Sequence, residues 1–263
     1  MDSGFDAAIL TYHSISAGPA PLCTPLPLFA SQMSWLKSNA NVVPLSDLVD
    51  CFHHSHKPPR RTVALTFDDG FADFDAAAAP VLRQLGLHAT VFMPVSYAGR
   101  TACWDAKAGG QPLLTWNQIR KLSSQGIIIG SHSLTHPPLT SLSDAELAPE
   151  IAESKKMIEK ETGQEPRFFC YPYGRFDERT RRAVRDHYAA ACTTSLRLLS
   201  PEEDPLALPR IDVHYLRNPR MFRSLFTREL RLYLYVRRLL RETRSRLHQR
   251  DGRRRLHIEG VFG

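Results

Sequence analysis

Six short apolar runs constrain this chain more than any other feature. They are AAILTY (7–12), TVALTF (62–67), ATVFMPV (89–95), IIIGS (127–131), RFFCY (167–171) and YAAACTT (188–194). Each has the length of a strand and is apolar on successive residues, the pattern of a strand buried on both faces. Helical patterns separate the later runs. DFDAAAAPVLRQLG places Phe74, Ala78, Val81, Leu82 and Leu85 on one face and stops at Gly86. TWNQIRKLSSQG has Thr115 as a cap and Gly126 as its stop. SDAELAPEIAESKKMIEKETG starts with a capping box, Ser143 to Glu146, and ends at Gly163. Pro149 falls inside that pattern, so the regular helix is expected to begin only near it. Strands alternating with helices predict parallel βα units, and a β/α barrel is favoured over an open doubly wound sheet.

Other classes drop out on composition. No GxGxxG or P-loop is present, which removes the usual nucleotide folds. No stretch approaches the roughly 18–20 apolar residues of a membrane span. The N-terminus, MDSGFDAAILTYHS, has two acids and no basic region before its apolar run, so no secretory signal is expected. The five cysteines are odd in number, widely spaced and never CxxC, which suits a reducing compartment. A cytoplasmic protein, peripheral at the inner face of the membrane, is the expectation. The net charge of +7 hides a division: residues 217–255 carry 14 Arg against Glu229, Glu242 and Asp251, leaving a mildly acidic body. Residues 1–216 are therefore read as the barrel and 217–263 as a basic amphipathic helix and tail.

The chemistry concentrates at the predicted strand ends, where functional residues gather in parallel β/α folds. ALTFDDG ends one strand in adjacent carboxylates, Asp68 and Asp69, before Gly70. GSHSLTH ends another in His132 and His136. RFFCYPYG runs from Arg167 into Tyr171, Pro172, Tyr173 and Gly174. Either pair alone is no more than chance supplies; together, one carboxylate and two imidazoles make a catalytic zinc constellation with an open position. The second carboxylate is then free to act as a base, with Arg167 as its counter-charge.

The order TFDDG, HSLTH and Arg167-x5-Tyr173-Gly174 resembles the first three motifs of the polysaccharide deacetylase family, carbohydrate esterase family 4. The likeness runs over roughly residues 7–214 and includes LTWNQIRKLSSQG and LPRI. It implies a distorted (β/α) barrel of about seven parallel strands, and a metal-dependent hydrolase that removes acetyl from N-acetylated sugars. By the same resemblance, Asp69, His132 and His136 would bind one divalent ion, Zn2+ being favoured. Asp68 would be the general base, held ionised by Arg167, and the backbone N–H of Tyr173 would stabilise the oxyanion. Pro172, Tyr173 and Trp104 are the substrate-facing candidates, although Trp104 and Trp116 read equally well as packing residues.

The general acid departs from the family's usual pattern, an apolar strand running into Leu-x-His near the C-terminal end. Here His214 follows a charged stretch, Arg210 to Asp212, that reads as closing a salt bridge beneath the barrel rim. AAILTYHS, by contrast, is an apolar strand finishing in His13. First and last strands of a closed barrel are neighbours, so either chain end can supply one site. This permuted arrangement resembles the poly-N-acetylglucosamine deacetylase branch and favours His13, with His214 the alternative. Cys170 reads as a core residue, and His53, His54 and His56 as a solvated loop. From Asn218, a cap before Pro219, helical spacing carries Phe222, Leu225, Phe226, Leu232, Tyr233, Val236, Leu240 and Leu247 among arginines. That segment either packs on the barrel with a solvated basic face or rests, through 219–250, on an anionic membrane. The partner expected is an acetylated glycan; no nucleic-acid module is present. The competing function is a catalytically silent, metal-containing carbohydrate-binding protein, which an intact Asp68 argues against.

Overall fold

The structure, a computed structural model, describes residues 5–54, 56–104, 110–241 and 243. Its strands are β1 (Ala7–Tyr12), β2 (Asn41–Val42), β3 (Thr62–Phe67), β4 (Thr90–Met93), β5 (Ile128–Ser131), β6 (Phe168–Cys170), β7 (Ala190–Cys192) and β8 (Ile211–Asp212). All pair in parallel, in the order β7-β6-β5-β4-β3-β1-β8, with β2 on the side of β3. The seven strands of that path curl into a half-barrel, and residues 208–212 span the gap between its edges. Leu208 exchanges backbone hydrogen bonds with Ala191 and Thr193 beside β7, at 2.8 and 2.9 Å. Three residues on, Ile211 pairs with Leu10 of β1. The first and last strands are thus neighbours.

The helices are α1 (Leu26–Asn39), α2 (Leu45–His53), α3 (Ala79–Leu85), α4 (Trp116–Ser124), α5 (Asp144–Thr162), α6 (Glu178–Arg185), α7 (Pro219–Arg223) and α8 (228–241). A π-helical turn, Phe74–Ala78, leads into α3, which Gly86 ends in the left-handed conformation. Thr115 and Gln118 form a capping box for α4, as Ser143 and Glu146 do for α5. Pro149 does not delay α5: the helix runs from Asp144 straight through it. A proline five residues in removes a single helical hydrogen bond, and the capping box holds the turn before it.

Strand residues divide by parity. Leu10, Tyr12, Val63, Leu65, Phe67 and Val91 face the helices, packing with Phe29, Met33 and Leu36 of α1. Ile9, Ala64, Phe92, Phe168, Cys170 and Cys192 pack together on the inner face, where Leu45, Leu48 and Val49 of α2 join them.

The basic segment folds as two helices, because the chain turns at Ser224–Thr227 and the Thr227 hydroxyl accepts from Leu230 N. Phe222, Leu225, Leu230 and Leu234 are buried in the same core as β1 and α1. Leu232, Val236 and Leu240 belong instead to an exposed stripe with Tyr235 and Leu239; Leu232 is 65% exposed. Leu247 and residues 244–250 lie outside the described residues. Among those described, no helix is long and apolar enough to cross a membrane.

Candidate active site

Asp68 continues the inward series Ala64 and Thr66 of β3 and is buried. An eighth strand residue would aim Asp69 at the helices, but the strand stops. Asp69 (φ 67°) and Gly70 (φ 63°) are both left-handed, so the chain reverses and both carboxylates line one pocket. A Cβ on Gly70 would sit 1.8 Å from Met93 Sδ, so the turn admits glycine only.

The histidine turn at the end of β5 is built the same way. Ser133 (φ 67°) and His136 (φ 61°) are left-handed. Ser131 Oγ accepts from Ser133 N at 3.1 Å, and Ser133 Oγ from His136 N at 2.9 Å. The buried carboxylate of Glu150, on α5, accepts from Leu134 N (2.9 Å), Thr135 N (2.8 Å) and the Thr135 hydroxyl. Sequence reasoning missed Glu150, since nothing in the α5 pattern marks it off from the helix's solvated acids.

These two turns bring Asp69, His132 and His136 together, their ligand atoms all within 4.8 Å of one another. His132 Nε2 lies 3.6 Å and His136 Nε2 3.3 Å from Asp69 Oδ1. His132 Nδ1 lies 2.7 Å from the Cys170 carbonyl, which fixes the tautomer with Nδ1–H donating and Nε2 left as the donor atom to a cation. Burial, reinforced by the neighbouring His136, pushes the His132 pKa down to about 4 against the pull of Asp68 and Asp69, so the ring is neutral at physiological pH. One carboxylate and two imidazoles suit Zn2+ with an open position, so the donor set fits the expected ion. A second grouping, Asp68, His132 and Cys170, is also compact. There, however, a guanidinium already occupies the carboxylate and the sulfur.

That guanidinium is Arg210. It donates to Asp68 Oδ1 from Nη1 (2.7 Å) and to Oδ2 from Nη2 (2.6 Å), and its Nη2 is 3.0 Å from Cys170 Sγ. Its Nε donates to the Thr193 carbonyl at 3.0 Å. Burial alone would raise the Asp68 pKa; the charge and hydrogen bonds of Arg210 hold it well below the usual carboxylate range. The expectation for Arg167 is therefore corrected. Arg167 precedes β6, at the opposite end of the sheet, and pairs with Asp50 of α2 at 2.7 Å. Strand direction decides this, because a residue opening a parallel strand cannot reach the carboxyl ends. The expectation for Arg210–Asp212 is corrected too, since Arg210 points into the barrel, not beneath its rim. LPRI was the available signal, but nothing local says which carboxylate it meets. Cys170 is a core residue, as read, yet its thiol also lies 3.6 Å from Asp68 Oδ2.

The pocket holds a cavity of about 110 Å3, lined by Asp68, Asp69, the two histidines, His13, Trp104 and Tyr173 among others. His13 follows β1 directly. The next residues are tied down, Ser14 donating its hydroxyl to Asp73 and Ile15 N donating to Asp73 Oδ1 at 3.1 Å. His214 sits in a 3-10 turn, Val213–Leu216, and is not in the pocket lining. Trp104 stacks on His136, with centroids 4.7 Å apart, and Tyr173 meets the same ring edge-on at 4.8 Å. Tyr173 (φ 59°) and Gly174 (φ 65°) form a left-handed turn after the buried Pro172. Trp116 packs against the main core and stands outside the pocket lining.

The family model described as polysaccharide deacetylase matches residues 55–191. The protein YxkH of Bacillus subtilis (strain 168) is 32% identical over 207 residues, 78% of this chain and 70% of its own length. The poly-beta-1,6-N-acetyl-D-glucosamine N-deacetylase of Staphylococcus epidermidis is 24% identical over 194 residues, 70% of this chain and 65% of its own. Among solved structures, the Streptococcus pyogenes deacetylase PplD in complex with acetate superposes with a TM-score of 0.69 at 27% identity, covering 78% of this chain and 91% of that one.

Proposed function

Since this chain belongs to the polysaccharide deacetylase family, we propose that it hydrolyses acetyl groups from N-acetylated sugars of a glycan, using one divalent cation, Zn2+ by preference. The observation that carries this reading is the division of labour between adjacent carboxylates. Asp69 faces two imidazoles, whereas Asp68, one residue away, is held ionised by Arg210 in the same pocket.

Asp69, His132 and His136 would hold the ion, which when bound supplies Lewis acidity that lowers the pKa of water and polarises the acetyl carbonyl. Asp68 takes the proton of the attacking water, and Arg210 keeps that carboxylate charged and oriented until it does. Tyr173 donates its backbone N–H to the developing oxyanion. His13, on the pocket wall, gives a proton to the departing amine. Trp104 and Tyr173 supply aromatic faces for the sugar ring, with Pro172 shaping the turn beneath them.

The exposed stripe of α8, flanked by arginines, supports a second element of the reading, contact with an anionic lipid surface. Retention on phosphatidylglycerol vesicles but not on phosphatidylcholine vesicles checks it.

The deciding experiment measures acetate released from a panel of N-acetylglucosamine oligomers, with and without added Zn2+. Asp68→Asn should keep its metal and lose roughly 10²-fold or more in turnover, as expected for a lost general base. His13→Ala should behave similarly, with His214→Ala close to wild type. Metal bound and no acetate released from any acetylated sugar would leave a silent carbohydrate-binding protein.

A further inference from the structure

Asp73 stands immediately before the π-helical turn that leads into α3, where an aspartate would ordinarily cap a helix. Its side chain makes no capping bond to that turn. Both carboxylate oxygens go instead to the chain that leaves β1. Oδ2 accepts from the Ser14 hydroxyl, and Oδ1 from Ile15 N at 3.1 Å. Ser14 and Ile15 are buried, so water does not readily replace the carboxylate.

These bonds bracket His13. On one side of it, the Tyr12 carbonyl accepts from Asp68 N at 2.9 Å. On the other, Ser14 and Ile15 are held by Asp73, in the segment that carries Asp68 and Asp69. That segment is anchored in turn: Leu114 N donates to the Gly70 carbonyl and Ala72 N to the Pro112 carbonyl, both at 2.9 Å. Phe71 and Phe74, to either side of Asp73, are buried, and Phe74 meets Phe67 edge-on at 4.7 Å. The backbone of Ser14 bonds within its own loop, to Leu22 at 3.1 Å and Thr24 at 2.9 Å. Those two bonds fix nothing relative to Asp68. A general acid must come within about 3 Å of the atom it protonates, and small displacements of a reacting group are costly.

We propose that Asp73 is a positioning residue: its carboxylate fixes the chain just past His13 to the segment of Asp68 and Asp69, and so sets the proton donor's place relative to the proton acceptor. The proposal rests on the deacetylase reading and its assignment of His13, and adds to them what holds that histidine in register.

The test exploits the leaving group. An amine must be protonated as it departs, whereas para-nitrophenolate leaves without a proton, so only the amide needs the acid. Metal-loaded wild type, Asp73→Ala, Asp73→Asn and Ser14→Ala are compared on tri-N-acetylchitotriose and on para-nitrophenyl acetate. Asp73→Ala should lower the amide-to-aryl-ester ratio of kcat roughly tenfold, the scale of a misplaced catalytic group, with bound Zn2+ at the wild-type level. Asp73→Asn can still accept from Ile15 N and should restore part of the ratio; Ser14→Ala should lose less than Asp73→Ala. Added to His13→Ala, Asp73→Ala should cost nothing further on the amide, because the group it positions is gone. Equal losses on both substrates, or losses that multiply in the double variant, would overturn the proposal. Should Asp73→Ala fail to fold, Ser14→Ala carries the same comparison. If no N-acetylated substrate yields acetate, or His13→Ala matches wild type, the deacetylase reading or its choice of acid fails instead. Amide hydrogen exchange then decides the clamp alone. Faster exchange across residues 13–16 in Asp73→Ala, with β3 as slow as in wild type, sustains it, and equal exchange ends it.

Discussion

Two arginine–aspartate pairs lie at opposite ends of one parallel sheet, and their lengths barely differ. Arg210 and Asp68 approach to 2.6 Å, Arg167 and Asp50 to 2.7 Å. Their surroundings share nothing. The first pair is 1% and 5% exposed, locked on both carboxylate oxygens and backed by Cys170; the second is 44% exposed on each side. An exposed pair is screened by water and costs side-chain entropy, so it contributes little. A buried pair stabilises little in net terms either, but breaking one member leaves a charge that nothing solvates. Distance alone does not say what an ion pair does. Burial assigns one pair to surface decoration and the other to holding a buried carboxylate ionised.

The largest effect should come from Arg210→Met, which strands Asp68 in the barrel. A loss of roughly 3–5 kcal/mol in urea unfolding at pH 7 is expected, with much of it recovered in Asp68→Asn/Arg210→Met. A single variant as stable as wild type would break the contrast. Acid pH sharpens it, because the folded pKa of Asp68 lies below its unfolded value of about 4. Its stabilising contribution is therefore complete above about pH 4 and is lost as the pH falls towards the folded pKa. Arg210→Met should lose that share of the acid sensitivity.

Glu150→Gln comes next. The amide can still accept, but it surrenders the charge that gathers two N–H groups and a hydroxyl around the histidine turn. Metal affinity, read by competition with a chromogenic chelator, should fall about tenfold, the low end for residues that orient ligands. Unchanged affinity would mean the left-handed turn holds itself. Arg167→Gln should be the smallest: under about 1 kcal/mol in unfolding, with acetate release near wild type. A collapse of activity there would restore the sequence-based assignment of Arg167 and overturn the comparison.

The sequence by itself determined whatever is written in short-range spacing. The buried strands, the capping boxes at Thr115 and Ser143, the glycine stops and the ordered Asp and His motifs are encoded within a few residues of one another. Their physical causes, hydrophobic period and unpaired backbone groups at helix ends, are equally local. Pro149 misled because capping outweighed one missing hydrogen bond, and 219–241 because periodicity cannot see the turn that Thr227 imposes. Only the tertiary structure decided which arginine meets Asp68, which histidine lines the pocket, and which face of α8 is left exposed. Arg210 stands 142 residues from its partner, and only the curl of the sheet brings residues 208–212 between β7 and β1. Electrostatic partnership depends on distance and dielectric, and neither exists until the chain has closed on itself.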